Sequence, residues 1–324
     1  MSIRVGLVGA AHVHAPSFIS SLQGNPKAEF VGIWDDQAER GEALAAQFDT
    51  HYTADLGTLL GQVDAICIAS ENMRHLEHLK AAVKAGRHAL CEKPIAPNAD
   101  HAQQIEVLAD SPGLVLATAF PCPFSPNFTA AQSRVENGDI GTLLAACCTN
   151  QGRCPFGWFT DPALSGGGAM IDHVVHVADL LRRLFGPEVA HVQAQIGNGH
   201  YGQQWDDTAM VTVGFDSGAF ASIDSSWNRP DAYHTWGNVK LNLVGEKGVI
   251  ELDLFSQGAS LTGADGMKTI GTGSNLDALM VDDFLSAILD KRPPMSTLRD
   301  GLWASQIAIK AYESVSQSGQ PAAV

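Results

Sequence analysis

The chain reads as an α/β domain with a doubly wound parallel sheet, followed by an α+β domain with a large, open, mostly antiparallel sheet. Three observations predict this. Over the first third, short apolar runs alternate with amphipathic helical segments, the pattern of strands buried on both faces beneath crossover helices. A proline-rich stretch, Pro121, Pro123 and Pro126, then breaks the alternation and marks a junction. Beyond it come longer segments that alternate apolar and polar residues and are joined by turn residues, as strands with one solvated face do.

Ile3–Val8 is predicted as the first strand and Ala15–Gln23 as the first helix. Phe30–Trp34 follows as a strand, then a helix over Gln37–Phe48 with Ala38, Leu44, Ala45 and Phe48 on one face. Ala65–Ala69 is a third strand, Arg74–Ala85 a helix closed by Gly86, and His88–Cys91 a fourth strand. A helix over Asp100–Ala109 and a strand over Leu114–Ala117 complete the first domain. In the second, helices are predicted over Phe128–Asn137 and Ala169–Leu184. Strands are predicted over Leu143–Thr149, Val189–Ile196, Ala209–Phe215, Ala219–Ser225, Val239–Val244 and Val249–Leu254. Asp216-Ser217-Gly218 and Gly245-Glu246-Lys247-Gly248 read as hairpin turns. Helices over Leu276–Leu289 and Asp300–Ser318, parted by Pro293 and Pro294, close the chain. The division is therefore 1–120 and 121–324, with 276–318 expected to pack back on the first domain.

The composition of the 324 residues is globular, at 45% hydrophobic and 17% charged. A net charge of −15 without any basic stripe argues against nucleic acid and anionic membranes, whose binding begins with phosphate neutralisation. The glycine-interrupted N-terminus is no signal peptide, and no segment is long enough to span a bilayer. A cytoplasmic protein is expected. None of the six cysteines forms a C-x-x-C pair, and Cys67 and Cys91 sit inside strand-like runs as small core residues. No resident metal is expected.

Four segments carry chemistry. The first strand runs into Gly9-Ala10-Ala11-His12-Val13-His14 and then a helix. A glycine there lets the chain turn so that helix N-terminal N–H groups face a pyrophosphate, as in a Rossmann-type dinucleotide-binding domain. Only Gly9 keeps the G-x-G-x-x-G pattern. The second strand ends in Asp35-Asp36 with no Arg or Lys immediately after. An acid at that point accepts the adenosine ribose hydroxyls and repels a 2′-phosphate, which favours NAD over NADP. The third segment, Glu92-Lys93-Pro94, ends the fourth strand at the sheet edge where ligands sit. Lys93 there can hydrogen-bond a reacting oxygen and stabilise developing charge. In the fourth, Gly166-Gly167-Gly168 leads into a helix carrying Asp172 and His176, four apart and on one face. An imidazole beside a carboxylate is a general acid/base pair. The glycines would let backbone approach a ligand closely. Adjacent helical residues point apart, so His173 is not expected to join Asp172 as a metal ligand.

Taken together, these segments resemble the glucose–fructose oxidoreductase/inositol dehydrogenase (Gfo/Idh/MocA) family. Gly9, Asp35, Glu92-Lys93-Pro94 and the run from Gly167-Gly168 to Asp172 and His176 carry the resemblance. Asn72 and His75, Asp207, Ser226-Trp227 and Ala311-Tyr312-Glu313-Ser314 extend it over essentially the whole chain. The resemblance implies hydride transfer between a nicotinamide and a secondary alcohol or ketone of a sugar or cyclic polyol. It implies a catalytic trio in which His176 removes the hydroxyl proton, Lys93 polarises the oxygen, and Asp172 binds a neighbouring hydroxyl or orients the site. Cofactor contacts are expected at Gly9, Ala11, His12, Val13, Asp35, Ser70, Asn72, His75, Glu92 and Lys93. Substrate contacts are expected at Lys93, Arg153, Trp158, Asp172, His176 and His234, with Asn228 and Tyr233 nearby in sequence. A cis Lys93–Pro94 bond and a homodimer or homotetramer paired through the open sheet are implied as well. Departures are Ala11 and His14 in the glycine pattern, Ser70-Glu71-Asn72, and Pro121-Cys122-Pro123, which speaks against sugar phosphates. Two alternatives remain: a non-catalytic dinucleotide-binding regulator and a relative that uses NAD for hydrolysis or epimerisation.

Overall fold

A computed structural model describes residues 2–233, 235–256, 258–263, 266–271 and 273–324, with side chains left out between 257 and 272. The chain divides into two compact units. Residues 1–121, 157–166 and 276–305 make the first, and 122–156, 167–275 and 306–324 the second.

The first unit opens with β1 (Ile3–Val8), α1 (Ala15–Gln23), β2 (Ala28–Trp34), α2 (Ala38–Gln47), α3 (Leu56–Gln62), β3 (Ala65–Ile68), α4 (His75–Lys84), β4 (His88–Cys91), α5 (Ala99–Ala109) and β5 (Leu116–Thr118). The strands form one sheet in the order β2-β1-β3-β4-β5, parallel throughout. Val5, Leu7, Val8, Ile66, Cys67 and Ile68 are fully buried, as strands covered on both faces must be. The helix α3 has no counterpart in the sequence reading: seven residues with two buried leucines give too short a periodic signal. Its start is marked by Asp55, whose carboxylate caps the Thr58 N–H. In α2 the buried residues are Gly41 and Ala45, while Ala38 is exposed. The predicted apolar face is thus narrower than read, because Gly41 lies against Asp35 and Tyr52.

The second unit begins with α6 (Pro126–Glu136) and β6 (Leu143–Thr149). The short α7 (Pro162–Ser165) belongs to the first unit. The second resumes with α8 (Ala169–Phe185), β7 (Val189–Gly197), β8 (Thr208–Phe215), β9 (Phe220–Asp224), β10 (Lys240–Gly245), β11 (Gly248–Asp253) and the hairpin β12 (Gly258–Gly263) and β13 (Gly266–Gly271). Then come α9 (Leu276–Asp290), α10 (Leu298–Ser316) and β14 (Ala322–Ala323). Seven strands form one sheet in the order β11-β10-β6-β9-β8-β7-β14. Every pairing is antiparallel except β6 with β9. One face is dry: Ala209, Val211, Val213, Ala221 and Ile223 are buried and α8 packs there. The register puts Met210, Phe220, Val244 and Val249 on the other face, and all four are exposed.

The last helices split between the units. The helix α9 lies in the first, with Ser17 Oγ donating to Asp277 at 2.5 Å and Lys27 paired with Asp282 at 2.7 Å. The division then falls inside α10, after Ser305.

Candidate active site

The candidate residues fall in two sets, one in each unit. The first set lies at the carboxyl edge of the parallel sheet. There β1 ends in Gly9, whose φ of 84° is left-handed. A Cβ on Gly9 would stand 2.7 Å from the Ser70 backbone, so glycine is required on both counts. Gly9 N–H donates to Trp34 O at 2.8 Å and His12 N–H to Ala69 O at 2.9 Å. These bonds knit the loops after β1, β2 and β3 together. The helix α1 then starts with a proline in its first turn and no side-chain cap. Val13 is 49% exposed at this turn. The Ala11 carbonyl accepts from Trp158 Nε1 at 2.9 Å, and Trp158 stacks on Phe159 with ring centres 3.9 Å apart. Trp158, expected at the substrate, therefore stands within the first unit against the glycine turn.

Asp35 is buried, and donors fill its carboxylate. Ala10 N–H lies 2.5 Å from Oδ2, Gln37 N–H 2.7 Å from Oδ1, and Arg40 reaches both oxygens at 3.0 and 2.9 Å. Arg40 also pairs with Glu71 at 2.9 Å, and Arg74 pairs with Asp36. The absence of a basic residue directly after Asp36 concealed both arginines. One arrives from a turn of α2 and the other from the loop after β3, placements that only the fold creates. Burial alone would raise the Asp36 pKa, but Arg74 foremost holds it below the ordinary value.

The loops after β3 and β4 are braced from inside. His75 is fully buried, with Nδ1 2.9 Å from Pro94 O and Nε2 3.2 Å from Ser70 O. Burial lowers its pKa. Ser70 Oγ meets His78 Nδ1 at 2.9 Å. Asn72 Nδ2 donates to Ser165 O at 2.8 Å, while its Oδ1 is buried without a partner. The Lys93–Pro94 bond is cis, and Lys93 and Glu92 are buried. Glu92 Oε1 lies 2.9 Å from His14 Nδ1 and 3.6 Å from His12 Nδ1. Burial would raise the Glu92 pKa, but the two imidazoles and the His14 hydrogen bond hold it well below the carboxylate range. His14 is raised in turn, since Glu92 outweighs its own burial.

These residues fit a dinucleotide. The glycine turn leaves an uncapped helix N-terminus for a pyrophosphate. An acid, Asp35, follows β2 where such domains meet a ribose, an apolar side chain is exposed at the turn, and the Asn72 carbonyl oxygen is buried with no hydrogen bond of its own.

The second set is built on α8. Its first turn is capped from a distance by Asp206, which accepts from Gly168 N–H at 3.1 Å, Met170 N–H at 2.8 Å and Tyr312 O–H at 2.9 Å. A Cβ on Gly168 would stand 2.1 Å from Asp206 O, one on Gly167 2.2 Å from Tyr312 Oη, and one on Gly166 2.5 Å from Pro97 Cβ. The space beside each of the three glycines is thus taken by the protein's own atoms. Asp207, singled out from sequence, is fully buried and accepts from Tyr201 N–H at 2.7 Å. The capping falls to its neighbour Asp206.

Asp172 is buried, and Trp227 Nε1 donates to its Oδ2 at 3.2 Å. His173 Nε2 lies 3.3 Å from the same oxygen, which corrects the expectation that adjacent residues would part. The imidazole is long enough to swing back. It does so over Gly152, where a Cβ would stand 2.6 Å from the ring. From Ala169 to Leu181, His176 alone is not buried. Arg153 NH2 donates to Tyr233 O at 2.5 Å, and Arg229 lies over the Tyr233 ring at 4.5 Å. His234 lies outside the described residues.

Models of two domains match the chain. Residues 3–120 match an oxidoreductase family with an NAD-binding Rossmann fold, and residues 128–251 match the GFO/IDH/MocA C-terminal domain. The 1,5-anhydro-D-fructose reductase of Ensifer adhaerens is 28% identical over 99% of this chain and 98% of its own length. The inositol 2-dehydrogenase of Acidothermus cellulolyticus is 28% identical over 78% of this chain and 73% of its own. The structure of GenD2 from gentamicin A biosynthesis, in complex with NAD, superposes with a TM-score of 0.91 at 23% identity, covering 100% of this chain and 96% of that one. No helix among the described residues is long and apolar enough to cross a membrane. The chain belongs to the Gfo/Idh/MocA oxidoreductase family, with an NAD-binding Rossmann domain at its head.

Proposed function

We propose that this protein is an NAD-dependent dehydrogenase or reductase that moves a hydride between the nicotinamide and a secondary alcohol carbon of a sugar or cyclic polyol. The observation that carries this reading is His176. It is the one position between Ala169 and Leu181 on α8 that is not buried, and it stands one turn from a buried carboxylate held by an indole N–H. His176 takes the hydroxyl proton in oxidation and returns it in reduction. Lys93 hydrogen-bonds the reacting oxygen and stabilises its developing negative charge. Asp172 accepts a hydrogen bond from a neighbouring hydroxyl. Bound NAD supplies the hydride acceptor. The turn from Gly9 to Val13 would hold its pyrophosphate, Asp35 its adenosine ribose, and Asn72, Glu92 and Lys93 its nicotinamide end.

The substrate class rests on relatives named as a reductase of 1,5-anhydro-D-fructose and a dehydrogenase of inositol. Pro121-Cys122-Pro123 after β5 supplies no cation for a phosphate, so unphosphorylated substrates are favoured. Arg153 serves as a substrate contact. The exposed apolar side chains of Met210, Phe220, Val244 and Val249 on the open face of the sheet support a homodimer or homotetramer paired through it. The domains divide functionally near residue 120, and the protein works in the cytoplasm.

The test is a panel of inositols, aldoses and 1,5-anhydro sugars with NAD, followed by NADH absorbance. Turnover with at least one, abolished in Lys93→Ala while NAD still binds, is expected. Full activity in Lys93→Ala, or retained NAD with no turnover on any member, would overturn the assignment.

A further inference from the structure

We propose that His12, His14 and Glu92 form a binding site for a divalent transition metal, with Zn²⁺ the best match. This lies beyond the hydride-transfer reading, in which His12 and Glu92 are assigned to NAD, so metal and dinucleotide would share these two residues. The two histidines come from one His-x-His segment in the loop after β1, and the glutamate from the end of β4. Strand β3 separates β1 from β4 in the sheet, so the convergence is made by the fold.

One ligand atom from each residue lies within 4.8 Å of the others. The His14 Nδ1 to Glu92 Oε1 distance is 2.9 Å, and that from His12 Nδ1 is 3.6 Å. Ligands at roughly 2.0–2.1 Å around a tetrahedral zinc stand about 3.3 Å apart. The two glutamate–histidine spacings bracket that value and the third pair lies within 4.8 Å, so side-chain rotations can bring the three atoms around one ion. The His14 N–H, 3.2 Å from His12 Nδ1, is the contact that coordination at that nitrogen would displace.

The donor chemistry selects among ions. Two imidazoles and one carboxylate suit zinc and its neighbours, whereas calcium and magnesium prefer all-oxygen shells. Three protein ligands leave a fourth position open, the arrangement of zinc sites that take a water or ligand oxygen rather than closed structural ones. The surroundings support the ligands. Lys93 N–H donates to Glu92 Oε2 at 3.1 Å, which orients the carboxylate. Phe159 and Trp158 stand 5.2 and 5.9 Å from the His12 ring and exclude water on that side. The His14 side chain is 37% exposed and offers an ion a way in from solvent.

The experiment is equilibrium dialysis of the EDTA-stripped full chain against Zn²⁺, read by metal analysis, with Co²⁺ as a probe by visible absorption. One equivalent of Zn²⁺ is expected to bind. His14→Ala, which alters the most accessible ligand, should weaken it by at least about 100-fold, the upper end of what loss of an outer-shell partner brings. Glu92→Gln should do the same, and Cys147→Ser, at an exposed thiol on β6, should change nothing. Circular dichroism confirms that each variant is folded. A stripped wild type that binds no zinc would overturn the proposal. So would one equivalent held equally by a folded His14→Ala variant and the wild type.

Discussion

The guanidinium of Arg40 lies across both carboxylate oxygens of Asp35, with Nε 3.0 Å from Oδ2 and NH2 2.9 Å from Oδ1. With the Ala10 and Gln37 N–H groups, four donors occupy a carboxylate that has about four acceptor sites. Ribose hydroxyls bound at Asp35, as proposed, would share or displace the Arg40 contacts. The same arginine stands ready for a phosphate once the acid is gone. Asp35→Ser is expected to weaken NADH binding and strengthen NADPH binding. Each lost or gained charged hydrogen bond is worth about 1.5–3 kcal/mol, so the selectivity ratio should move by roughly 100-fold. Fluorescence titration with the two reduced cofactors measures it directly. An unchanged ratio would remove Asp35 from cofactor selection.

Trp227 is fully buried and donates to Asp172 Oδ2 at 3.2 Å. Phenylalanine in its place keeps most of the ring and removes the donor. A hydrogen bond to a charged acceptor contributes about 1.5–3 kcal/mol. Trp227→Phe should accordingly lower kcat by about 10-fold or more, leave NAD affinity unchanged, and lower the denaturation midpoint. Equal losses in kcat and NAD affinity would instead indicate general damage to the fold.

Both unit architectures were legible because their hydrophobic periods are long and clean. Strands β1 and β4 have the same limits in sequence and structure, as does α1. What escaped was short or three-dimensional. The helix α3 carries two buried leucines in seven residues, and β14 is two residues paired with β7. No local pattern separates either from a loop. Of the candidate site, Asp35, Lys93, Asp172 and His176 are singled out by residue type and position in the sequence. Arg40, Arg74 and Asp206 are not, since each acts across space on a residue distant in the chain or, for Arg40, through a bend in the backbone. Glu92 meeting both His12 and His14 was hidden for the same reason: nothing in a His-x-His segment announces which strand end will face it.

Glycine substitutions separate packing from propensity. At Gly168 a Cβ would stand 2.1 Å from the Asp206 carbonyl oxygen, with the Asp206 side chain tied to the same helix end. Backbone cannot yield as a flexible side-chain tip does. Gly168→Ala is expected to cost at least about 2 kcal/mol, within the overpacking range and above the usual surface substitution. Gly61, on α3, has nothing within 4 Å of its added Cβ. Gly61→Ala should stabilise by about 0.4–1 kcal/mol through the unfolded chain and helix propensity. Urea denaturation of the two variants beside the wild type tests both signs at once.

The last prediction concerns acid. His78 is buried against Trp34, with rings 5.4 Å apart, and its Nδ1 meets Ser70 Oγ. Burial foremost, then the charges of Arg74 and His75, push its pKa down to about 3, against a smaller opposing pull from Asp36. In the unfolded chain the imidazole titrates near its ordinary value of about 6.5. Above that pH both states are neutral and the group's contribution is complete. Between about 6.5 and 3 the unfolded chain binds a proton that the folded one refuses, so stability falls as pH falls. One such proton gives a slope of up to about 1.4 kcal/mol per pH unit. His78→Gln keeps a hydrogen-bonding side chain toward Ser70 and removes the titration. Urea denaturation at pH 6.5, 5.5 and 4.5, each about a unit apart across that window, should give a slope shallower by about one proton in the variant. Parallel slopes would mean that the folded protein admits a proton at His78, and that its burial is less complete in solution than the packing around Trp34 implies.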